Sequence, residues 1–217
     1  MTPSLIITQA KNLIQGSRFS KLPDAHRDTV LLDFVNQTIQ TASVLRPDIF
    51  ATVADVTLTP NSALQQAPAG AVRLIDVLTV EGGSVLREVS RKAMDLSVPD
   101  WASSQPGTPI HWMRNPRNPA GFYVYPRPTD GVVAVVEYAI SPPTYALNDT
   151  IDMPPAYAAA LSAGAAALAL RVYPEASNAE MARELESRFN NLILESVNAR
   201  VLTDYDSSGL DQDKMME

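Results

Sequence analysis

The stretch LLDFVNQTIQTASVLRPDIFATVADVTLT, Leu31 to Thr59, changes its hydrophobic period midway, and that change decides the fold class. In its first half Leu31, Val35, Thr38, Ala42 and Leu45 recur at helical spacing, with Phe34 and Ile39 widening the stripe. The helix starts near Asp24, after Pro23, and Pro47 ends it, because the residue before a proline is pushed out of the helical region. From Ala51 the period becomes two. Thr52, Val53, Asp55, Val56, Thr57 and Leu58 are β-branched or alternate, and Pro60-Asn61 marks a turn.

Working outward toward the start, Thr2 is placed to cap a short helix with Pro3 at its first position; Ile6, Ala10, Leu13 and Ile14 share one face before Gly16. Toward the other end, Ala71 to Val80 (AVRLIDVLTV) alternates, and Gly82-Gly83 offers a hairpin turn into Ser84 to Val89. Phe122 to Tyr125 and Val132 to Ala139 read as two further strands joined across Pro126, Pro128 and Asp130-Gly131. Eleven of the 17 prolines fall between Pro99 and Pro155, so they belong to a loop-rich β region, in which Trp101, Trp112, Phe122, Tyr123 and Tyr125 supply a core.

Two helices follow. Pro154 and Pro155 start the first, Tyr157, Leu161, Gly164, Leu168 and Val172 form one stripe, and Pro174 stops it. Its other positions are mostly Ala, which lets a neighbouring helix or subunit approach closely at Ala159, Ala163 and Ala166. Ser177-Asn178-Ala179-Glu180 is a capping box for the second, whose apolar face is Met181, Leu185, Phe189, Leu192, Ile193 and Val197; Glu184, Glu186, Arg188 and Glu195 face water. From Leu202 onward periodicity is lost, and residues 202–217 read as a flexible acidic tail.

Helices at both ends of a chain commonly return to pack together. The expected architecture is therefore α+β: a four-helix bundle formed by the N- and C-terminal helices (residues 1–50 and 151–201) with an inserted Pro-rich antiparallel β lobe (residues 51–150).

Composition narrows function. At 217 residues the chain buries a core without staples, and it has no cysteine and two histidines, which excludes disulfides, thiolate zinc sites, cysteine nucleophiles and three-histidine metal centres. The net charge of -7 argues against wholesale coating of nucleic acid. It is uneven, however: Asp204, Asp206, Asp211, Asp213 and Glu217 against Lys214 place -4 of it in residues 203–217. The start of the chain has no positive cluster before Leu5–Ile7, so a signal peptide is not expected and the chain reads as intracellular. Met153 to Leu170 has the length of a membrane span, but its opening prolines and alanine content point to a tightly packed helix without membrane insertion.

Phosphate-loop, dinucleotide-turn, zinc-protease and hydrolase-elbow motifs are absent from the sequence. His26 and His111 are 85 positions apart and read as unrelated; Asp95 and Asp100 sit where caps and turns favour aspartate. Trp112, Phe122, Tyr123 and Tyr125 interleave with Arg114, Arg117 and Arg127. That pattern fits a base-stacking surface, or a β core with arginines on its exposed edge, and the second reading is preferred.

The order of these elements resembles a known family. LLDFVNQTIQTASVLRPD (Leu31 to Asp48) is similar to a long early helix ending in a basic residue and proline, and LREVSRKAMDLSVPDW (Leu86 to Trp101) to the segment after a central strand pair. HWMRNPRNPAGFYVYPRP (His111 to Pro128) and EYAISPPTYALNDTIDMPPAYAAAL (Glu137 to Leu161) resemble a turn-strand section and a strand, Pro turn, acidic loop and helix start. Together they resemble the adaptor, or tail tubular, proteins of short-tailed bacteriophages.

The resemblance implies a non-enzymatic virion protein without cofactor. It implies a homo-oligomeric ring, commonly of twelve copies, that joins the portal to the tail nozzle at the head-tail junction and lets DNA pass without gripping it. The tail then reads as a portal-binding segment with Leu202, Tyr205, Leu210, Met215 and Met216 as apolar anchors. The alternatives are a neck or head-completion protein of a longer-tailed phage, a sequence-tolerant nucleic-acid binder, or a small enzyme with a carboxylate site.

Overall fold

The computed structural model describes the backbone of residues 1–17, 19–173 and 178–209, and their side chains up to residue 194 with Glu81 excepted. The fold is mixed α+β, with five α-helices and two four-stranded sheets among the described residues. It divides into two compact units, Met1–Arg46 together with the chain from Pro142 onward, and Pro47–Ser141. The capping box at Ser177 and the stop at Pro174 lie outside the described residues.

The helical unit contains α1 (Pro3–Leu13), α2 (Asp24–Leu45), α4 (Ala158–Val172) and α5 (Ala179–Gly209). Pro3 opens α1, but the Thr2 hydroxyl bonds to Ser4 Oγ at 2.9 Å rather than capping the backbone. Leu31, Phe34, Val35, Thr38, Ile39 and Ala42 of α2 are buried, whereas Leu45 at its last turn is exposed. Around α4 the expected single stripe is wrong. Ala160, Leu161, Ser162, Ala163, Gly164, Ala165, Ala166 and Ala167 are all buried, while Val172 is 57% exposed. A helix that contacts α1, α2 and α5 has no free face, and small side chains are what let three neighbours approach it. The span Pro155–Val172 is long and apolar enough to cross a membrane by length and composition, but 61% of it is buried inside the protein.

In α5, Met181 is exposed and Ala182 takes its place inward, beside Leu185, Phe189 and Ile193. The helix also runs on to Gly209, so residues 202–209 are helical in backbone rather than an aperiodic tail. Neither glycine nor proline occurs between residues 177 and 208, and nothing in the chain breaks the helix before Gly209.

The β unit holds one sheet in the order β1 (Ala51–Thr57), β8 (Val133–Ile140), β3 (Ala71–Val80), β4 (Ser84–Val85). The other runs β2 (Leu64–Gln66), β7 (Gly121–Tyr125), β6 (His111–Arg114), β5 (Arg87–Glu88). Gly82 and Gly83, both at positive φ, make the turn between β3 and β4, but the hairpin lasts only two residues. Leu86 is then buried and the chain leaves for the other sheet, where β5 pairs parallel with β6, so the lobe is not wholly antiparallel. The strands around Phe122 and Val132 likewise belong to different sheets. Their connection crosses between layers, and the Tyr125–Pro126 bond is cis. Between the sheets lie Leu74, Val77, Val80, Leu86, Trp112, Phe122, Val124 and Val136. The unit also includes α3 (Arg91–Ser97), which the sequence reading missed; Ser90 Oγ caps it by accepting from Ala93 N at 3.2 Å.

Gly164 tests the close approach on α4. A Cβ there would lie 2.5 Å from Thr38 Cγ2 and 3.1 Å from Phe189 Cδ2. Thr38 cannot swing its methyl away freely, because its hydroxyl donates to Phe34 O at 2.7 Å. Gly164→Val is expected to destabilise the protein by about 2 kcal/mol through overpacking, although propensity alone favours any side chain over glycine in a helix. Chemical denaturation followed by far-UV circular dichroism measures it, and a more stable variant would contradict the account.

Candidate functional site

Of the two aspartates singled out for chemistry, Asp95 is committed to structure. Asp95 Oδ1 accepts the Trp101 indole N–H at 2.7 Å, and its other oxygen lies 3.8 Å from Arg91 Nε. Asp100 sits at the start of a 3-10 turn, with no hydrogen bond from its side chain to the turn's backbone. His26 belongs to the helical unit and is exposed, whereas His111 belongs to the β unit and stacks on Tyr125, ring centroids 6.4 Å apart.

The arginine-aromatic series does not form a stacking platform. Trp112 and Phe122 are fully buried between the sheets, and Tyr123 meets Trp101 edge-on at 5.5 Å in a second small core with Met94 and Met113. Arg127 is spent on the carbonyls of Ser104, Asn61 and Ser103 at 2.7, 3.2 and 3.3 Å. Arg114 is the busiest side chain of the unit. Its Nε and Nη2 donate to Glu88 at 2.7 and 3.2 Å, its Nη1 and Nη2 to the Leu74 and Ile75 carbonyls at 3.3 and 2.8 Å, and its Cζ lies 5.0 Å from the Trp112 ring centre. One guanidinium thus ties β6 to β5 of its own sheet and to β3 of the other. A 320 Å³ cleft opens beside it, lined by Arg73, Leu74, Asn115, Pro116 and Pro119 among others, and no nucleophile or acid-base pair lines it.

In the helical unit the most worked-over segment is the loop between β8 and α4. Asn36 of α2 clasps it, donating to Tyr145 O at 3.0 Å and accepting from Tyr145 N at 2.9 Å, as a neighbouring strand would. Gln40 donates to Pro142 O at 2.8 Å, Ser4 N to Leu147 O at 3.1 Å and Ile151 N to Met1 O at 2.8 Å. Asp149 folds the loop tip by accepting from Ala146 N at 2.7 Å. Every one of these contacts is structural.

Asn36, Asp95, Arg114 and Arg127 thus brace loops and sheets. The family model of the SU10 adaptor protein matches residues 1–209. The chain belongs to the SU10 adaptor family. That makes it a phage head-to-tail adaptor, a structural component of the virion in a generally non-enzymatic family. No curated protein matches the sequence.

The segments that carried the adaptor resemblance now have local roles. The early helix supplies Asn36 and Gln40, the stretch from Leu86 supplies β5, α3 and the Asp95–Trp101 bond, the stretch from His111 supplies β6, β7 and Arg114, and the stretch from Glu137 supplies the clasped loop. Sequence reasoning missed Asn36 and Arg114 as organising residues. Asn36 stands off the apolar stripe of Leu31, Val35, Thr38 and Ala42, so helical spacing gave it no mark. Of the interface residues read from the sequence, Ala163 and Ala166 are fully buried within their own chain and Ala159 is exposed. Leu202 and Tyr205 have backbone positions in α5, while Leu210, Met215 and Met216 lie outside the described residues.

Two measurements check these assignments. Both tryptophans lie in the β unit, so their fluorescence reports its unfolding. Arg114→Lys keeps the charge but loses the fork and is expected to lower stability by about 1–2 kcal/mol, while Glu88→Gln costs under about 1 kcal/mol because that ion pair is half exposed. Equal, negligible losses would reduce Arg114 to a surface ion. In the helical unit, burial raises the Tyr145 hydroxyl above its ordinary pKa, a hydrogen bond with the Asp152 backbone partly offsets this, and the Asp152 charge adds to the rise. The folded chain then holds this proton to higher pH than the unfolded one, so stability is retained below about pH 10 and falls above it. Tyr145→Phe is expected to lessen that alkaline loss in thermal melts.

Proposed function

We propose that this adaptor assembles as a closed ring of twelve copies between portal and tail nozzle, continuing the DNA channel. The family match over residues 1–209 is the observation that carries the reading. Several properties of the chain support it. The four long helices, read as a four-helix bundle, give a rigid body whose core helix is covered by its own neighbours. Ala163 and Ala166 act in helix packing within the subunit, leaving Ala159 as the one of the three free for a contact between subunits. With -4 of the charge beyond Thr203, the rest of the chain carries little net charge, which suits a wall that DNA slides past.

Residues 202–217 engage the portal, with Leu202, Tyr205, Leu210, Met215 and Met216 as apolar anchors and the acids keeping the segment soluble before assembly. Subunits are made and stored in the host cytoplasm and reach the virion at the head-tail junction. A neck or head-completion role in a longer-tailed phage predicts the same portal docking without a short-tail nozzle.

Mixing purified adaptor with portal and imaging by negative-stain electron microscopy is expected to show added density as a ring on one face of the portal. Deleting residues 202–217 is expected to abolish co-purification with portal while the helical unit stays folded by circular dichroism. Undiminished binding by the truncated chain would remove the tail from the interface.

A further inference from the structure

The edges of the two sheets are not alike. β2 and β5 are three and two residues long. β4 is two residues long and, because Leu86 N donates inward to Leu78 O, it turns only Val85 outward. Where β4 ends, β3 is covered instead: Arg114 occupies the Leu74 and Ile75 carbonyls, and Leu74 N donates to Pro119 O at 2.8 Å. β1 has none of these protections. It is seven residues long, keeps an unbroken register with β8 from Ala51↔Ala139 to Thr57↔Val133, and contains no proline, lysine or bulge.

Its open side can be read from one bond. Leu58 N donates to Val132 O at 2.8 Å in the same register. Bonded pairs alternate along an antiparallel ladder, so Thr52, Ala54 and Val56 exchange bonds with β8, and Ala51, Val53, Asp55 and Thr57 turn their N–H and C=O groups outward. No backbone partner meets those outward groups among the described residues. The matching side chains are on the exposed face, with Val53 53% exposed and Asp55 and Thr57 exposed.

We propose that β1 is the docking edge for a second copy of this chain, whose own β1 lies antiparallel to it about Ala54. A row of main-chain donors and acceptors accepts only an extended segment, and among the described residues β1 is the one long free edge that the chain can offer in return. Pairing about Ala54 sets Ala51 opposite the partner's Thr57 and Val53 opposite the partner's Asp55, so all four outward residues on each strand find outward residues. Charge and the number of paired residues select this register over its neighbours. Centring on Asp55 places two carboxylates face to face, and centring on Val53 leaves Thr57 unpaired. The contact is two-fold and uses up the edge in both copies, so it closes at a dimer. It is distinct from the head-to-tail contact of a ring and does not depend on one.

Sedimentation velocity on the full-length chain over about a hundred-fold range of concentration tests this. The mass is expected to rise from 23.5 kDa toward twice that value. Val53→Pro removes an outward N–H and no bond to β8, and is expected to stay at one chain with an unchanged circular dichroism spectrum. The register has its own signature, because Val53 faces the partner's Asp55. Val53→Asp is expected to weaken the dimer about tenfold by opposing like charges, and Val53→Lys to preserve or tighten it. A chain that stays at 23.5 kDa throughout, or a Val53→Pro variant that still doubles, overturns the proposal; equal weakening by the Asp and Lys variants overturns the pairing about Ala54.

Discussion

The helical unit depends on how little side chain α4 carries. A helix touching α1, α2 and α5 at once must let three backbones close in, and Ala160, Ala163, Gly164, Ala166 and Ala167 leave them the room. Dispersion contacts at such distances are individually weak but numerous, and they are lost together when one position gains volume. The polar groups nearby are arranged around this constraint. Thr38 bonds back to its own helix at Phe34 O and presents a methyl to Gly164, and the ion pair of Arg171 with Glu186 links α4 to α5 near the surface.

The β unit solves a different problem, that of two small sheets with short strands. Its chain changes sheet after Thr57, Gln66, Val85 and Tyr125, so neither sheet is a simple succession of hairpins. Such crossings leave carbonyls without ladder partners, and arginines meet them: Arg114 at Leu74 and Ile75, Arg127 at Ser103, Ser104 and Asn61. Guanidinium suits this work because it donates several bonds in one plane and stays charged at any working pH. Arg114 and Arg127, two of the three arginines interleaved with aromatics, therefore act as structural clasps. This also removes them from the basic, stacking surface that a nucleic-acid binder would need.

Much of the polar chemistry of this chain is that of bracing. Asp95, which in a catalytic reading would be an acid or base, fixes the Trp101 indole; Asn36 holds a loop against a helix by imitating a strand. Such residues shape the surfaces that neighbours meet, and family membership over residues 1–209 gives those surfaces their biological setting.

By itself the sequence determined the kinds of element and much of their placing. The change of period at Pro47, the alternation of Ala71 to Val80 and the diglycine turn are local signals, set by side-chain periodicity and backbone sterics that act within a few residues. The adaptor resemblance was also legible, because it lies in the order of such local segments. What only the tertiary structure decided was partnership. The stripe on α4 was misread because alanine is too small to declare a face, and burial on every side depends on three distant helices. Met181 and Ala182 exchanged roles for the same reason. The sheet assignments of β4, β5 and β7 could not be read because a strand's period reveals which face is buried, not which strand lies beside it. The tasks of Asn36 and Arg114 were hidden likewise: their acceptors are backbone atoms 109, 40 and 39 positions away, and a carbonyl leaves no mark in the sequence.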